Sequence, residues 1–308
     1  MKTAFVFPGQ GSQSVGMLAD IASEFALVTE TFAEASEALG YDLWQLVANG
    51  PAEALNQTFV TQPAMLTAGI ALHRILQSAG KAEVSFMAGH SLGEYTALTA
   101  AGVFSLADAV RLVRARGEYM QAAVPEGVGA MAAILGLSDD QVLVACEQAA
   151  QGDVVAAVNF NSPGQVVVAG HKAAVERAMK LCQEAGAKRA LPLPVSVPSH
   201  CALMQPAADR LARNLAELTM GSPSVSVVNN AYVAVEVDAK AIQSALVAQL
   251  YSPVRWVETI HYLKAQGVTH LVEVGPGKVL AGLNKRIDNE IEHFAVADLR
   301  TLSDYLAK

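Results

Sequence analysis

Val84-Ser85-Phe86-Met87-Ala88-Gly89-His90-Ser91-Leu92-Gly93-Glu94-Tyr95 is the stretch on which the fold turns. Val84–Ala88 reads as a short apolar strand, and a helix-like stretch starts at Leu92. Between them, Gly89-His90-Ser91-Leu92-Gly93 has the G-x-S-x-G form of a nucleophile elbow. Such a sharp strand-to-helix turn exposes the serine oxygen, and the flanking glycines remove side chains that would clash. The other reading of these residues is a tight turn with an inert serine.

Working outward, the chain keeps alternating. Upstream, Ala4–Phe7 is a strand that stops at Pro8-Gly9-Gln10-Gly11-Ser12, and helical periodicity runs over Glu24–Leu39 and Thr61–Ser78. Downstream, Ser105 caps a helix over Leu106–Ala123. Strands and helices in this order predict a parallel sheet covered on both faces. The middle differs. Strand Gly129–Leu135, helix to Ala150, strands Val154–Phe160 and Gln165–Ala169, helix Lys172–Ala185 and strand Lys188–Val195 follow one another. That is β-α-β-β-α-β, the order of ferredoxin-like domains. Helix Leu203–Leu218, strand Ser224–Asn229, helix Ala239–Tyr251 and strand His270–Val274 then resume the first pattern. The chain thus reads as α/β: a large domain at 1–124 and 198–308 with a parallel sheet, and an inserted ferredoxin-like domain at 125–197.

Composition narrows the function. Hydrophobic residues make up 52% of the 308 and charged ones 16%, ample for a sizeable core. No apolar run approaches the ~18 residues of a membrane span, so no membrane is expected as partner. Met1-Lys2-Thr3 leads into a strand with no signal-peptide pattern, and three cysteines form no disulfide or metal framework. A cytoplasmic location is the expectation. The net charge of −8 disfavours nucleic acid.

A nucleophilic serine needs a base. Of seven histidines, His200 is the candidate, in a Val197-Pro198-Ser199-His200 loop where the chain re-enters the large domain. An orienting acid is hard to place, since Asp139 and Asp153 fall in the inserted domain and Asp108 at a helix start. A backbone carbonyl could take that part. Gly9-Gln10-Gly11-Ser12-Gln13 fails as a dinucleotide loop, because Ser14 occupies the last glycine position. It could lay backbone N–H groups beside Ser91, which together with the N–H of Leu92 would make an oxyanion hole; the alternative is an ordinary tight turn. Arg116 falls on the apolar arc formed by Leu106, Ala109, Val110, Leu112, Val113, Gly117 and Met120, without an acidic residue in reach. Arg111 and Arg114 instead have Asp108 and Glu118 as surface partners. A buried guanidinium wants an anion, either a ligand carboxylate or a distant Asp or Glu.

Phe7-Pro8-Gly9-Gln10-Gly11-Ser12-Gln13, Gly89–Tyr95, Arg116-Gly117, Val197-Pro198-Ser199-His200 and Glu273-Val274-Gly275-Pro276-Gly277 occur in order. Together they closely resemble the bacterial malonyl-CoA:acyl carrier protein transacylases of fatty acid synthesis. The resemblance covers essentially the whole chain. It implies a hydrolase-like large domain with the ferredoxin-like insert, Ser91 as acylated nucleophile and His200 as base. It further implies backbone N–H groups of Gln10 and Leu92 as oxyanion hole, the backbone carbonyl of Gln249 orienting His200, and Arg116 gripping the malonyl carboxylate. Malonyl-CoA and acyl carrier protein would be the partners, with no metal and no cofactor beyond the coenzyme A of the substrate. An imidazole titrating near its ordinary ~6.5 would suit both half-reactions. Carrier proteins of this pathway are acidic, so Lys188 with Arg189, and Lys285 with Arg286, are the candidate docking residues. Two rival readings are a serine thioesterase or hydrolase and a non-catalytic acyl-CoA-binding subunit.

Overall fold

The computed structural model describes residues 2–195 and 197–308. Its nine described strands are β1 (Thr3–Phe7), β2 (Phe86–Gly89), β3 (Gly129–Leu135), β4 (Val155–Ser162), β5 (Gln165–His171), β6 (Arg189–Pro192), β7 (Ser226–Val228), β8 (His270–Val274) and β9 (Glu292–Val296). They form two separate sheets. A five-stranded sheet in the order β7-β2-β1-β8-β9 is parallel at every pairing. A four-stranded sheet in the order β4-β5-β3-β6 is antiparallel at every pairing. The protein is a mixed α/β structure.

Alternation along β1 explains how the parallel sheet is buried on both sides. Phe5 and Phe7 point into the larger core, against helices Thr58–Ser78 and Leu106–Ala123; Ala4 and Val6 point into a second core with Trp256, Ile260 and Leu280. Both faces are therefore apolar, as the continuous hydrophobic run predicted. The antiparallel sheet likewise has two faces. Ala132, Ile134, Val166 and Val168 pack under helices Asp139–Ala150 and Lys172–Glu184, while Met131, Val158, Val167 and Ala169 pack with Cys201.

The antiparallel sheet is tied by backbone to the large-domain segment that follows helix Ala239–Gln249. Phe160 N–H donates to Val254 O (3.0 Å) and Val254 N–H to Val158 O (2.8 Å), so β4 is hydrogen-bonded to the segment just after Gln249.

The expected elements are present, helices at Leu43–Asn49, Trp256–Ala265 and Val279–Ile287 come in addition, and some boundaries differ. The strand expected to run to Val195 ends at Pro192, since the prolines at 192 and 194 have no N–H to give a ladder. The turn expected over Asn161–Gly164 narrows to Pro163-Gly164, with Gly164 at φ 73° and Asn161 and Ser162 in the strand. Beyond Arg286, for which no element was expected, lie β9 and a helix at Leu299–Leu306.

Candidate active site

Three loops at the carboxyl ends of β1, β2 and β8 meet, where parallel sheets usually bind ligands. Their glycines make the contact possible. A Cβ on Gly9 would sit 2.6 Å from His90 O, and one on Gly275 would sit 2.6 Å from the Pro8 ring. At the elbow the fit is tighter. A Cβ on Gly89 would lie 1.8 Å from the Gly93 carbonyl carbon, and one on Gly93 2.0 Å from Phe7 O. Ser91 sits between them at φ 52°, ψ −108°, a conformation that L residues rarely adopt and that the surroundings must impose. Asn230, just after β7, clamps the turn. Its Nδ2 donates to Gly89 O (2.7 Å) and its Oδ1 accepts from Ser91 N–H (2.8 Å).

Ser91 Oγ lies 2.8 Å from His200 Nε2. The other ring nitrogen, Nδ1, lies 2.8 Å from the backbone carbonyl of Gln249 and donates to it, which leaves Nε2 to accept the serine proton. His200 is itself held at φ 65°, with its N–H on Leu250 O (3.0 Å). Among the described residues no carboxylate pairs with it. Burial, and next the Arg116 charge, push its pKa down to about 3. The expectation of an ordinary imidazole is corrected by this. His200 sits at 3% exposure beside a guanidinium, and both conditions disfavour the imidazolium. Neighbouring Cys201 turns away, its Sγ on Pro198 O at 3.2 Å, and burial pushes its thiol up to about 11.

Arg116 is fully buried on the arc expected for it. Nη1 donates to Gln62 Oε1 (2.8 Å), and Nη2 to Gln249 Oε1 (3.0 Å) and Ser91 Oγ (3.2 Å), with Cζ 5.2 Å from the Tyr95 ring centroid. Its Nε has no partner among the described residues, nor does it form an ion pair there. The guanidinium therefore rests on neutral amide oxygens rather than on a distant Asp or Glu. Arg111 and Arg114 do pair with Asp108 (3.8 Å) and Glu118 (3.0 Å), as their spacing predicted.

Gln10 lines the same cavity as Ser91, Leu92 follows Ser91 within the elbow, and among the described residues no hydrogen bond uses either backbone N–H. A polar chain links this loop to Arg116. Thr58 Oγ1 donates to Gln10 Oε1 (2.9 Å), and Gln62 Nε2 donates to Thr58 Oγ1 (3.1 Å). A cavity of about 320 Å³ opens over Ser91 and His200, lined also by Gln10, Thr58, Met131 and Leu193. A second cavity of about 310 Å³ lies beside Thr3 and His270, at the opposite end of the parallel sheet, away from all these groups. Lys188, Arg189, Lys285 and Arg286 are exposed and do not touch the site.

Comparison with known proteins bears on this geometry. A family model for the acyl transferase domain matches residues 4–299. A malonyl CoA-acyl carrier protein transacylase of Escherichia coli (strain K12) is 66% identical over 284 residues, 92% of each chain. The chain belongs to the malonyl CoA-acyl carrier protein transacylases, within the acyl transferase family. Solved structures of the family superpose closely. An acyl carrier protein S-malonyltransferase from Vibrio cholerae matches at 60% identity and TM-score 0.97, covering 99% of both chains. A malonyl-transacylase in complex with a type II PKS acyl-carrier protein matches at 57% identity and TM-score 0.99, covering 100% of this chain and 99% of the other.

Several polar residues of this transacylase-family site were not anticipated from sequence: Gln62, Asn230, Asn161 and Glu94. Asn161 Oδ1 meets His90 Nε2 at 2.8 Å. Glu94 is 1% exposed, and burial pushes its carboxyl up to about 7. A signal for it was available, because an acid in the helix Leu92–Ala100 has few polar neighbours to keep it at the surface. The amides offer no such signal.

Proposed function

We propose that the chain moves a malonyl group from malonyl-CoA to the phosphopantetheine thiol of acyl carrier protein through a malonyl-Ser91 ester. The observation that carries this reading is the position of Ser91 Oγ, in hydrogen-bond reach of both His200 Nε2 and a buried arginine. His200 Nε2 takes the hydroxyl proton as Oγ attacks the thioester carbonyl, and the N–H groups of Gln10 and Leu92 hold the oxyanion. The C–S bond breaks, and His200 returns the proton to the departing coenzyme A sulfur. The carrier thiol then gives its proton to His200 and takes the acyl group, and the serine oxygen recovers the proton. Arg116 Nη2 lies 3.2 Å from Oγ, so a carboxylate two carbons from the ester carbonyl can replace the neutral oxygens now on the guanidinium. A charged acceptor there makes stronger hydrogen bonds than an amide. Coenzyme A takes part only as substrate, and no resident cofactor or metal belongs to the mechanism.

Mixing the protein with malonyl-CoA should add one malonyl mass, mapped to Ser91, and Ser91→Ala should lose the adduct with its fold unchanged. An adduct that persists on the variant overturns the nucleophile. Rapid loss of the adduct without any thiol acceptor would favour the hydrolase reading instead.

The finer architecture belongs to the same proposal. The strand order β4-β5-β3-β6, with two helices on one face, supports a ferredoxin-like insert at 125–197 in a hydrolase-like domain at 1–124 and 198–308. A cytoplasmic location is supported by three buried, unbridged cysteines.

Carrier docking on Lys188, Arg189, Lys285 and Arg286 gains support from their placement. Arg286 Nη1 donates to Gln165 Oε1 (2.9 Å). The register pairs Gln165 with Leu135 and Leu135 with Arg189, which gathers both basic pairs at one end of the antiparallel sheet. Local positive charge there would steer an acidic partner despite the net −8. Charge reversal of Lys188 and Arg189 should raise the KM for carrier protein by about tenfold while sparing acylation from malonyl-CoA. Equal losses in the two half-reactions would remove the docking assignment.

A further inference from the structure

Gln249 does more than present its backbone carbonyl to His200. Its side-chain oxygen accepts from Arg116 Nη2 (3.0 Å), and its Nε2 donates to Ser91 O (3.0 Å) and Glu94 Oε2 (2.7 Å). An arginine can only donate, so a productive Gln249 must turn its oxygen toward Arg116 and its NH₂ away. The opposite rotamer of the amide has nearly the same shape and would set donor against donor. Something must hold the amide in one orientation. Glu94 Oε2 is placed to do so, and the same oxygen accepts the backbone N–H of Asn230 (2.9 Å), the residue whose side chain clamps Ser91 and Gly89.

We propose that Glu94 is a positioning residue for acyl-group selection: through one oxygen it fixes which end of the Gln249 amide meets Arg116, and holds Asn230 on the elbow. The inference rests on the proposed malonyl transfer and adds a residue that touches neither substrate nor reacting atoms. It assigns the effect to an acceptor atom rather than to a negative charge. Both bonds go to Oε2, so a glutamine carbonyl in its place satisfies them equally.

The test is the rate of Ser91 acylation from malonyl-CoA and from acetyl-CoA, on one preparation each of wild type, Glu94→Met and Glu94→Gln. Methionine keeps the length and apolar volume but offers no oxygen. Glu94→Met should lose about 100-fold with malonyl-CoA and less than tenfold with acetyl-CoA, because the misoriented amide disturbs Arg116 more than Ser91. Glu94→Gln should keep the malonyl-to-acetyl ratio within about threefold of wild type, since its carbonyl replaces Oε2. An equal fall with both substrates overturns the proposal, as does a Glu94→Gln ratio no better than that of Glu94→Met. If Glu94→Met does not fold, Gln249→Met reads the same link. It should show the same malonyl-selective loss, and a loss shared equally by acetyl transfer would overturn the proposal. Wild type failing to form a malonyl-Ser91 adduct is a separate result that would strike the transfer reaction itself.

Discussion

Replacing Arg116 with alanine should cut malonyl acylation of Ser91 by about 10³-fold or more while acetyl acylation holds steady or rises. A site built around a polar contact discriminates by as much as ~10⁴–10⁵ against a substrate lacking it. Here the guanidinium is fully buried and sits 3.2 Å from the nucleophilic oxygen, and among the described residues no lysine or other arginine lines the cavity over Ser91. The variant also strips donors from Gln62 and Gln249, and each buried acceptor left unpaired costs about 1–3 kcal/mol. A lower melting temperature is therefore expected alongside the change in selectivity. Arg116→Lys should rescue only in part, since an ammonium keeps the charge without the planar fork. One further readout separates this from general damage. The Arg116 charge holds His200 down, so its removal should move the acid limb of the acetyl reaction to higher pH. Equal loss with both substrates and an unmoved acid limb would make Arg116 a structural residue.

Gly93→Ala should destabilise the protein severely. The added Cβ would lie 2.0 Å from Phe7 O, 2.8 Å from Phe7 C and 3.1 Å from Pro8 O, all backbone atoms of the central strand and its loop. No flexible side chain can yield, so the elbow must part from β1. Overpacking of this kind, in a protein with about 5–15 kcal/mol of total stability, is expected to cost ~4 kcal/mol or more. Gly282→Ala is the matched control. That glycine lies inside the helix Val279–Ile287 with nothing within 4 Å of a Cβ, and should gain about 0.5–1 kcal/mol. Urea unfolding of the two variants beside wild type measures both. A Gly93→Ala protein with a wild-type midpoint would show that the elbow has slack the geometry does not reveal.

These two positions illustrate what can be read from the chain alone. Gly93 and Arg116 were legible because each breaks a local rule: a glycine at a helix start, a charge on an apolar arc. The parallel sheet was legible because β1 is an apolar run and β1 and β8 both end at glycine turns. β9 was not, since it is half exposed at the sheet edge and mixes Glu292 and His293 with Phe294. Gln62 and Asn230 were invisible for a different reason. A neutral amide is unremarkable on either a surface or a buried face, and only the fold brings one beside a guanidinium and the other beneath a serine N–H. His200 was found by its loop, but its lowered basicity comes from burial and from Arg116, 84 positions away in the chain. Sequence neighbours carry no trace of that.

The collar of amides around Arg116 has a consequence for anyone reshaping acyl-group choice. Gln10, Thr58, Gln62, Arg116, Gln249, Glu94, Asn230 and Ser91 are joined into one hydrogen-bonded circuit that runs through the interior. Apart from Arg116 Nε, the side-chain donors described in this circuit have acceptors, and removing one member strands the next. Single substitutions toward a neutral, bulkier acyl group would thus leave buried polar atoms behind and lose turnover before they gain breadth. Exchanging Arg116 together with Gln62 for apolar residues empties one arm of the circuit, but Gln249 Oε1 then loses its donor and must be changed with them. Selectivity in this fold changes by arms, not by residues.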